Sequence, residues 1–372
     1  MEKVNKMLYS DVMKGFLISA VVVGHSFIIV AHQMTSVPEK MTFSILCKLL
    51  SPCVFCFFYF FGYGQGLKRV RNSSKRLFKR MGSTFVSYFI WATFAWFSFQ
   101  MLGSEYNIIN NAKGILLNKP FTLRYLYVLF SFSGSWQYYF IFIFIVSMFF
   151  LYYFRNASVK ALKIYLIVFS CLQVAFFSIV TFYLWTAEGS FENLQYLGII
   201  IYANPLSWVI PLFWGYYRAA LKKNVVAEVK TKWFYLLLAV VYCLAVMEIY
   251  VLGNKWNGYY LLDQFTLLTL LNSVLMIHLY DIVIRFVILR SKKESALLNV
   301  MGTMGRYSII PFFVHLPYQW FVYVLVTHLI RLELNPIPAF LALSVIGLLL
   351  SYFAIKLIDM LPVKIKRLLL GV

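Results

Sequence analysis

Ten apolar stretches, near residues 12–31, 45–67, 81–102, 134–154, 162–185, 197–219, 233–252, 259–285, 307–330 and 338–360, dominate the chain. Each is close to the roughly 20 residues an α-helix needs to cross a bilayer. Short polar runs, most of them basic, separate the stretches. The pattern predicts an all-α, polytopic bundle of about ten transmembrane helices, forming one domain over residues 1–372, with no internal repeat or soluble domain. With the N-terminus placed in the cytoplasm, only Lys40, Lys48, Lys113, Lys119, Arg124, Lys255 and Arg331 of the 34 Lys and Arg fall on the outer side. Cytoplasmic loops are the ones enriched in these residues, so N- and C-termini are both expected in the cytoplasm.

Composition agrees, at 62% hydrophobic and 13% charged residues. A net charge of +21 would point to nucleic acid in a soluble protein, but here the basic residues sit between apolar segments, and topology accounts for them. The five cysteines are an odd set in apolar segments and give no disulfide framework. Cys53-x-x-Cys56 has metal-like spacing, yet no second ligand pair completes a four-coordinate site, so no metal is expected. Lys3 and Lys6 precede the first apolar run without a small-x-small cleavage site, and the run is read as an uncleaved span.

The first span carries ionisable residues that hydrocarbon penalises, and such residues normally face a bundle interior or wet cavity. Lys14 and His25 are eleven positions apart, which is three helical turns plus about 20°, or roughly 16 Å of rise, so they share a face at different depths. Asp11 shares that face and is placed to pair with Lys14. The first basic loop contains Lys68, Arg69, Arg71, Lys75, Arg76, Lys79 and Arg80. It either enforces orientation against anionic headgroups or grips a phosphorylated cytosolic ligand.

Elsewhere the signals are weaker. The apolar part of the 103–133 loop, from Tyr125 to Phe130, is expected to lie in the interface as a lid. Trp136 and Tyr138 open the fourth span, either as interfacial anchors or as a platform for a sugar. Asn204-Pro205 and Pro211 predict a broken sixth span whose freed backbone groups need partners. Glu188 and Glu192 read as solvated loop charges, and snorkelling suffices for Glu248 and Asp263. His278, Asp281 and Arg285 share a face and read as a local ion-pair network. Gly62, Gly64 and Gly66 lack the strand-turn-helix context of a dinucleotide fingerprint and point to close helix packing. No Walker loop, Gly-x-Ser-x-Gly elbow or His-Glu-x-x-His motif is present.

Three features together resemble the acyltransferase 3 family of integral-membrane acyltransferases, which acylate surface carbohydrates in bacteria. Asp11, Lys14, Gly15, Gly24 and His25 are similar to its span-one signature of an acid, a basic residue, then ten residues and a histidine. Phe60-Phe61-Gly62-Tyr63 leading into Lys68 to Arg80 resembles its aromatic-glycine end of span two followed by a basic loop. Gly305-Arg306-Tyr307-Ser308, with His315 and Pro317 downstream, is similar to its late Gly-x-x-Ser…His-x-Pro segment. The chain departs from the family in having Phe61-Gly62 where Ser-Gly is usual, and Arg76-x-x-Lys79 in place of Arg-x-x-Arg.

The resemblance implies a multi-pass enzyme of the bacterial cytoplasmic membrane that moves an acyl group, usually acetyl, from acyl-CoA to a carbohydrate or lipid-linked glycan. His25 would be general base or transient acyl carrier, and Lys14 would orient the donor arm or pair with Asp11. Lys68, Arg69, Arg71, Lys75, Arg76, Lys79 and Arg80 would hold the donor. His315 either joins a polar network or lines the acceptor site with Trp136 and Tyr138. The rival reading is an exporter of polysaccharide or lipid-linked sugar, using the same cavity as a conduit.

Overall fold

The computed structural model describes residues 6–31, 45, 48–68, 73–101, 121–130, 136–186, 201, 203–221, 232–255, 266–290, 295–329 and 335–370. Among them the regular structure is entirely helical. In chain order the α-helices are α1 (Lys6–Ala31), α2 (Cys53–Lys68), α3 (Ser74–Met101), α4 (Phe121–Phe130), α5 (Tyr139–Tyr153), α6 (Val159–Thr186) and α7 (Val209–Ala220). They continue with α8 (Lys232–Lys255), α9 (Leu267–Arg290), α10 (Ala296–Arg306), α11 (Ile309–Val324), α12 (Pro336–Asp359) and α13 (Val363–Leu370). Six segments among the described residues are long and apolar enough to cross a bilayer: Tyr139–Asn156, Val159–Thr186, Trp233–Leu252, Leu267–Arg290, Ile309–Thr327 and Pro336–Asp359. Ile164, Ile167, Ile179 and Phe182 of α6, and Leu236, Met247 and Tyr250 of α8, point outward. An apolar outer surface of this kind suits lipid as solvent.

Inside the bundle, glycines set how closely helices approach. A side chain at Gly62 would overlap the Leu212 carbonyl, and one at Gly215 the Tyr59 carbonyl, so α2 and α7 meet backbone to backbone. Gly66 meets Tyr216 and Ala219 in the same seam, whereas Gly64 faces open space. The packing role expected of the glycine run therefore belongs to its first and last members. A second seam joins α1 to α10, where a side chain on Gly15 would strike the Met301 carbonyl and one on Gly305 the Asp11 carbonyl. Small residues at such crossings replace the hydrophobic drive that helices lack in lipid.

The sixth apolar stretch is broken as its prolines require. Asn204 accepts from Leu206 N–H at 3.0 Å and starts a 3-10 turn over Pro205–Trp208 that leads into α7. Gln173 of α6 satisfies the junction from both ends, donating to the Ser207 carbonyl and accepting from Ile210 N–H, each at 2.7 Å.

Several expectations change. Glu248, read as snorkelling to water, and Lys48, counted on the outer side, are 5% and 1% exposed. Lys48 Nζ donates to Thr269 Oγ1 at 2.7 Å, Thr269 Oγ1 lies 2.9 Å from Thr266 Oγ1, and the Thr266 hydroxyl donates to Glu248 Oε2 at 2.5 Å. Two threonines of the α9 N-terminal turn thus bridge opposite charges that hydrocarbon would not tolerate singly. Asp281 does bind Arg285 through two contacts of 2.9 and 3.0 Å and also accepts from the Tyr9 hydroxyl. His278 lies against the rings of Trp214 and Phe234. The expected lid is helix α4, docked on α3 through Tyr125 with Thr93 and through the Leu129 carbonyl, which accepts from Tyr88 at 2.8 Å. Glu188, Glu192 and Asp263 lie outside the described residues.

Candidate active site

The span-one histidine faces a second histidine. His25 Nδ1 on α1 is 2.6 Å from His315 Nε2 on α11, and the rings lie nearly parallel, 13° apart with centroids at 4.9 Å. His315 is fully buried, while His25 keeps partial exposure. Nothing lies within 4 Å of where a side chain on the preceding Gly24 would begin, so the backbone beside His25 is not crowded.

The hydrogen bonds fix the tautomers of the neutral pair. His315 Nδ1 is 2.5 Å from the Pro311 carbonyl, which can only accept, so His315 carries its proton on Nδ1. Its Nε2 is then a lone pair that accepts from His25 Nδ1–H. His25 Nε2 is left unprotonated, as a general base or a nucleophile requires. If Nε2 takes a proton, the resulting imidazolium keeps its Nδ1–H bond to His315, a charge-assisted contact in a low-dielectric interior.

Neighbouring residues hold α11 in this register. Gln319, one turn beyond His315, donates to Ser26 Oγ at 2.7 Å and to the Val22 carbonyl at 3.1 Å on α1, and contacts the Leu343 carbonyl of α12 at 3.4 Å. Its amide covers Gly347, where any side chain would collide with it. Pro317 supplies no N–H to the Phe313 carbonyl four residues back. The Tyr138 hydroxyl takes that place, donating to Phe313 O at 3.2 Å and also lying 3.3 Å from Trp91 O. Gln137 donates to Phe312 O at 3.3 Å. Tyr138 is fully buried, with its ring against Tyr88 and Phe313, so its hydroxyl and ring are both occupied by protein rather than presented to an acceptor. Trp136 opens the 3-10 turn Trp136–Tyr138, and its side chain lies outside the described residues.

Toward the N-terminal end of α1, Asp11 Oδ1 is 3.9 Å from Lys14 Nζ and Oδ2 is 3.7 Å from Arg306 Nε. The expected Asp11–Lys14 pair is present, and Arg306 is an addition that span-one spacing could not reveal. Lys14 is 42% exposed and sits three turns from His25.

Lys68 ends α2 and is exposed, as are Lys75, Arg76, Lys79 and Arg80 on the first turns of α3. Lys75 and Lys79, and likewise Arg76 and Arg80, are four residues apart, so like charges are stacked along α3, an arrangement favourable only near counter-charge. The Arg80 guanidinium lies 6.0 Å from the Phe61 ring centroid, joining this turn to α2. Arg69 and Arg71 lie outside the described residues.

Residues 7–356, nearly the whole chain, match the family model described as an acyltransferase domain. The chain belongs to the acyltransferase 3 family. No curated protein and no solved structure matches it. Membership makes this a membrane acyltransferase. Among the described residues no group of three or more His, Cys, Asp or Glu could hold a metal ion. The family chemistry needs an acyl donor.

Proposed function

We propose that the protein is an O-acyltransferase of the bacterial cytoplasmic membrane, with ten spans and both termini in the cytoplasm. It takes an acyl group, in the first instance acetyl, from cytosolic acyl-CoA and places it on a hydroxyl of a surface polysaccharide or lipid-linked sugar. The observation that carries this reading is the chain of contacts from the Pro311 carbonyl through His315 to His25, which leaves His25 Nε2 with a lone pair.

In the proposed step the acceptor hydroxyl gives its proton to His25 Nε2 as its oxygen attacks the thioester carbonyl. The tetrahedral intermediate collapses with cleavage of the carbon–sulfur bond, and the departing thiolate takes the proton from His25. His315 orients the imidazole and shares the charge that forms on it, the part a carboxylate plays in a hydrolase triad. A positioned base of this kind contributes roughly 10²- to 10⁴-fold. Coenzyme phosphates would stay at the basic rim, where Lys68, Lys75, Arg76, Lys79 and Arg80 are exposed, with Lys14 and Arg306 flanking the donor arm.

The test is a vesicle reconstitution with acetyl-CoA on the cytoplasmic face and a glycan acceptor. The proposal expects free thiol to appear in proportion to acetylated sugar. Movement of unmodified glycan without thiol release would establish the exporter instead.

A further inference from the structure

Helix α13 lies beyond residues 7–356, so family membership assigns it no role. It bears on α11 at two places. Near its start, Lys366 Nζ binds the Asp359 carboxylate at 2.7 Å, and the Tyr307 hydroxyl, two residues before α11 begins, donates to the same carboxylate at 2.9 Å. Near its end, the Leu369 carbonyl accepts from Trp91 Nε1 at 3.1 Å and from Ser87 Oγ at 2.6 Å, both on α3. The last four carbonyls of a helix have no intrahelical donor, and here α3 supplies one. The Trp91 ring in turn stacks on Phe313 of α11, 12° from parallel with centroids 5.8 Å apart. Aromatic pairs prefer such an offset to full face-to-face overlap.

Between and just beyond those two places, the backbone of α11 is poorly held by its own hydrogen bonds. Pro311 and Pro317 have no N–H, so the Tyr307 and Phe313 carbonyls, four residues before each, lose the donor an α-helix would give them. Tyr307 O accepts instead from Ile310 N–H at 2.9 Å, in a tighter turn. Phe313 O accepts from the Tyr138 hydroxyl, which also contacts the Trp91 carbonyl. The Pro311 carbonyl that fixes His315, and through it His25, lies within this stretch. A tilt of the turn from Pro311 to His315 therefore acts on the proton that decides whether His25 Nε2 keeps its lone pair.

We propose that Trp91 is a positioning residue for the histidine pair, its indole fixed against Phe313 by the Leu369 carbonyl of α13, so that the last helix holds the Pro311–His315 turn. The inference rests on the acyltransferase reading above. Trp91 acts through α11 and not on donor or acceptor.

Full-length Trp91→Phe keeps a ring for Phe313 and loses the N–H, and it is reconstituted beside the wild type. Its kcat for acetyl transfer is expected to fall about 10- to 100-fold, the range for a misplaced catalytic group, while KM for acetyl-CoA stays within about twofold. Spectra of 15N-histidine-labelled protein, assigned with His25→Ala, are expected to show His25 passing from Nδ1–H toward Nε2–H. Ser87→Ala leaves the indole bonded to Leu369 and is expected to keep the wild-type kcat and tautomer. Should Trp91→Phe fail to fold, 3-benzothienylalanine at position 91 replaces only the N–H by sulfur and is expected to give the same two changes. A lowered unfolding midpoint with wild-type kcat and tautomer would leave Trp91 a packing residue and overturn the inference, with the acyltransferase reading intact. An equal loss in Ser87→Ala would assign the effect to general docking of α13 and overturn it too. A wild-type protein without acetyl transfer would sink the acyltransferase reading, while the histidine spectra would still decide the part Trp91 plays.

Discussion

The tautomer of His25 is set from a distance, through one imidazole and one carbonyl. Because Pro311 O accepts from His315 Nδ1–H, replacing His315 removes the acceptor that holds the His25 proton on Nδ1. His315→Ala is expected to lower kcat by 10²-fold or more, in the range of a mispositioned base, while the KM for acyl-CoA stays near wild type. Steady-state kinetics on the reconstituted variant checks the split, and equal changes in both constants would point to a folding defect. The lone imidazole of His25 was legible as a polar intruder in an apolar span. His315 was singled out through the late motif, but its pairing with His25 was not, because it lies 290 positions away and spacing along one helix says nothing of the helix packed beside it.

The same limit applies to Lys48 and Glu248, which the linear order places near water and the structure buries in one threonine-bridged network. Lys48→Met or Glu248→Leu alone leaves one charge buried without its counter-charge and is expected to cost about 3 kcal/mol or more. The Lys48→Met/Glu248→Leu double variant is expected to recover most of that loss, as read from thermal unfolding in detergent. Additive losses would show that the two charges do not depend on each other.

Among the elements, the α1–α10 seam decides whether the site can assemble. Gly305 faces the Asp11 carbonyl so closely that a methyl group cannot enter without parting the helices, whereas Gly302, on the same helix, has open space. Gly305→Ala is expected to destabilise the protein by about 3 kcal/mol or more through overpacking against rigid backbone. Gly302→Ala is expected to be neutral or slightly stabilising, since alanine is the better helix former. Unfolding midpoints for the two variants make the comparison, and equal behaviour would remove the packing explanation. Gly62, Gly64 and Gly66 could be read in the sequence as a packing signal, and Gly15 and Gly305 only as motif residues, but which helix each would meet could not be read. Pro317 was likewise visible as a motif residue, while the Tyr138 hydroxyl that caps its freed carbonyl needed the fold to be seen.

For the whole molecule, the hydropathy pattern and the asymmetry of Lys and Arg were enough to read a helical membrane bundle, because bilayer thickness and the cost of buried backbone groups leave few alternatives. Six spans meet length and hydropathy requirements among the described residues. A ten-span arrangement predicts that single cysteines introduced at Lys75 and Lys364 react with a membrane-impermeant maleimide only from the cytoplasmic face. Labelling of either from the outer face would break the topology.

The central claim is that His25 performs the transfer. Its most direct test is the rate of acetyl transfer from acetyl-CoA to glycan by His25→Ala, reconstituted at equal density and with wild-type unfolding behaviour. A fall of at least about 10²-fold is predicted, and a rate near wild type would contradict the account.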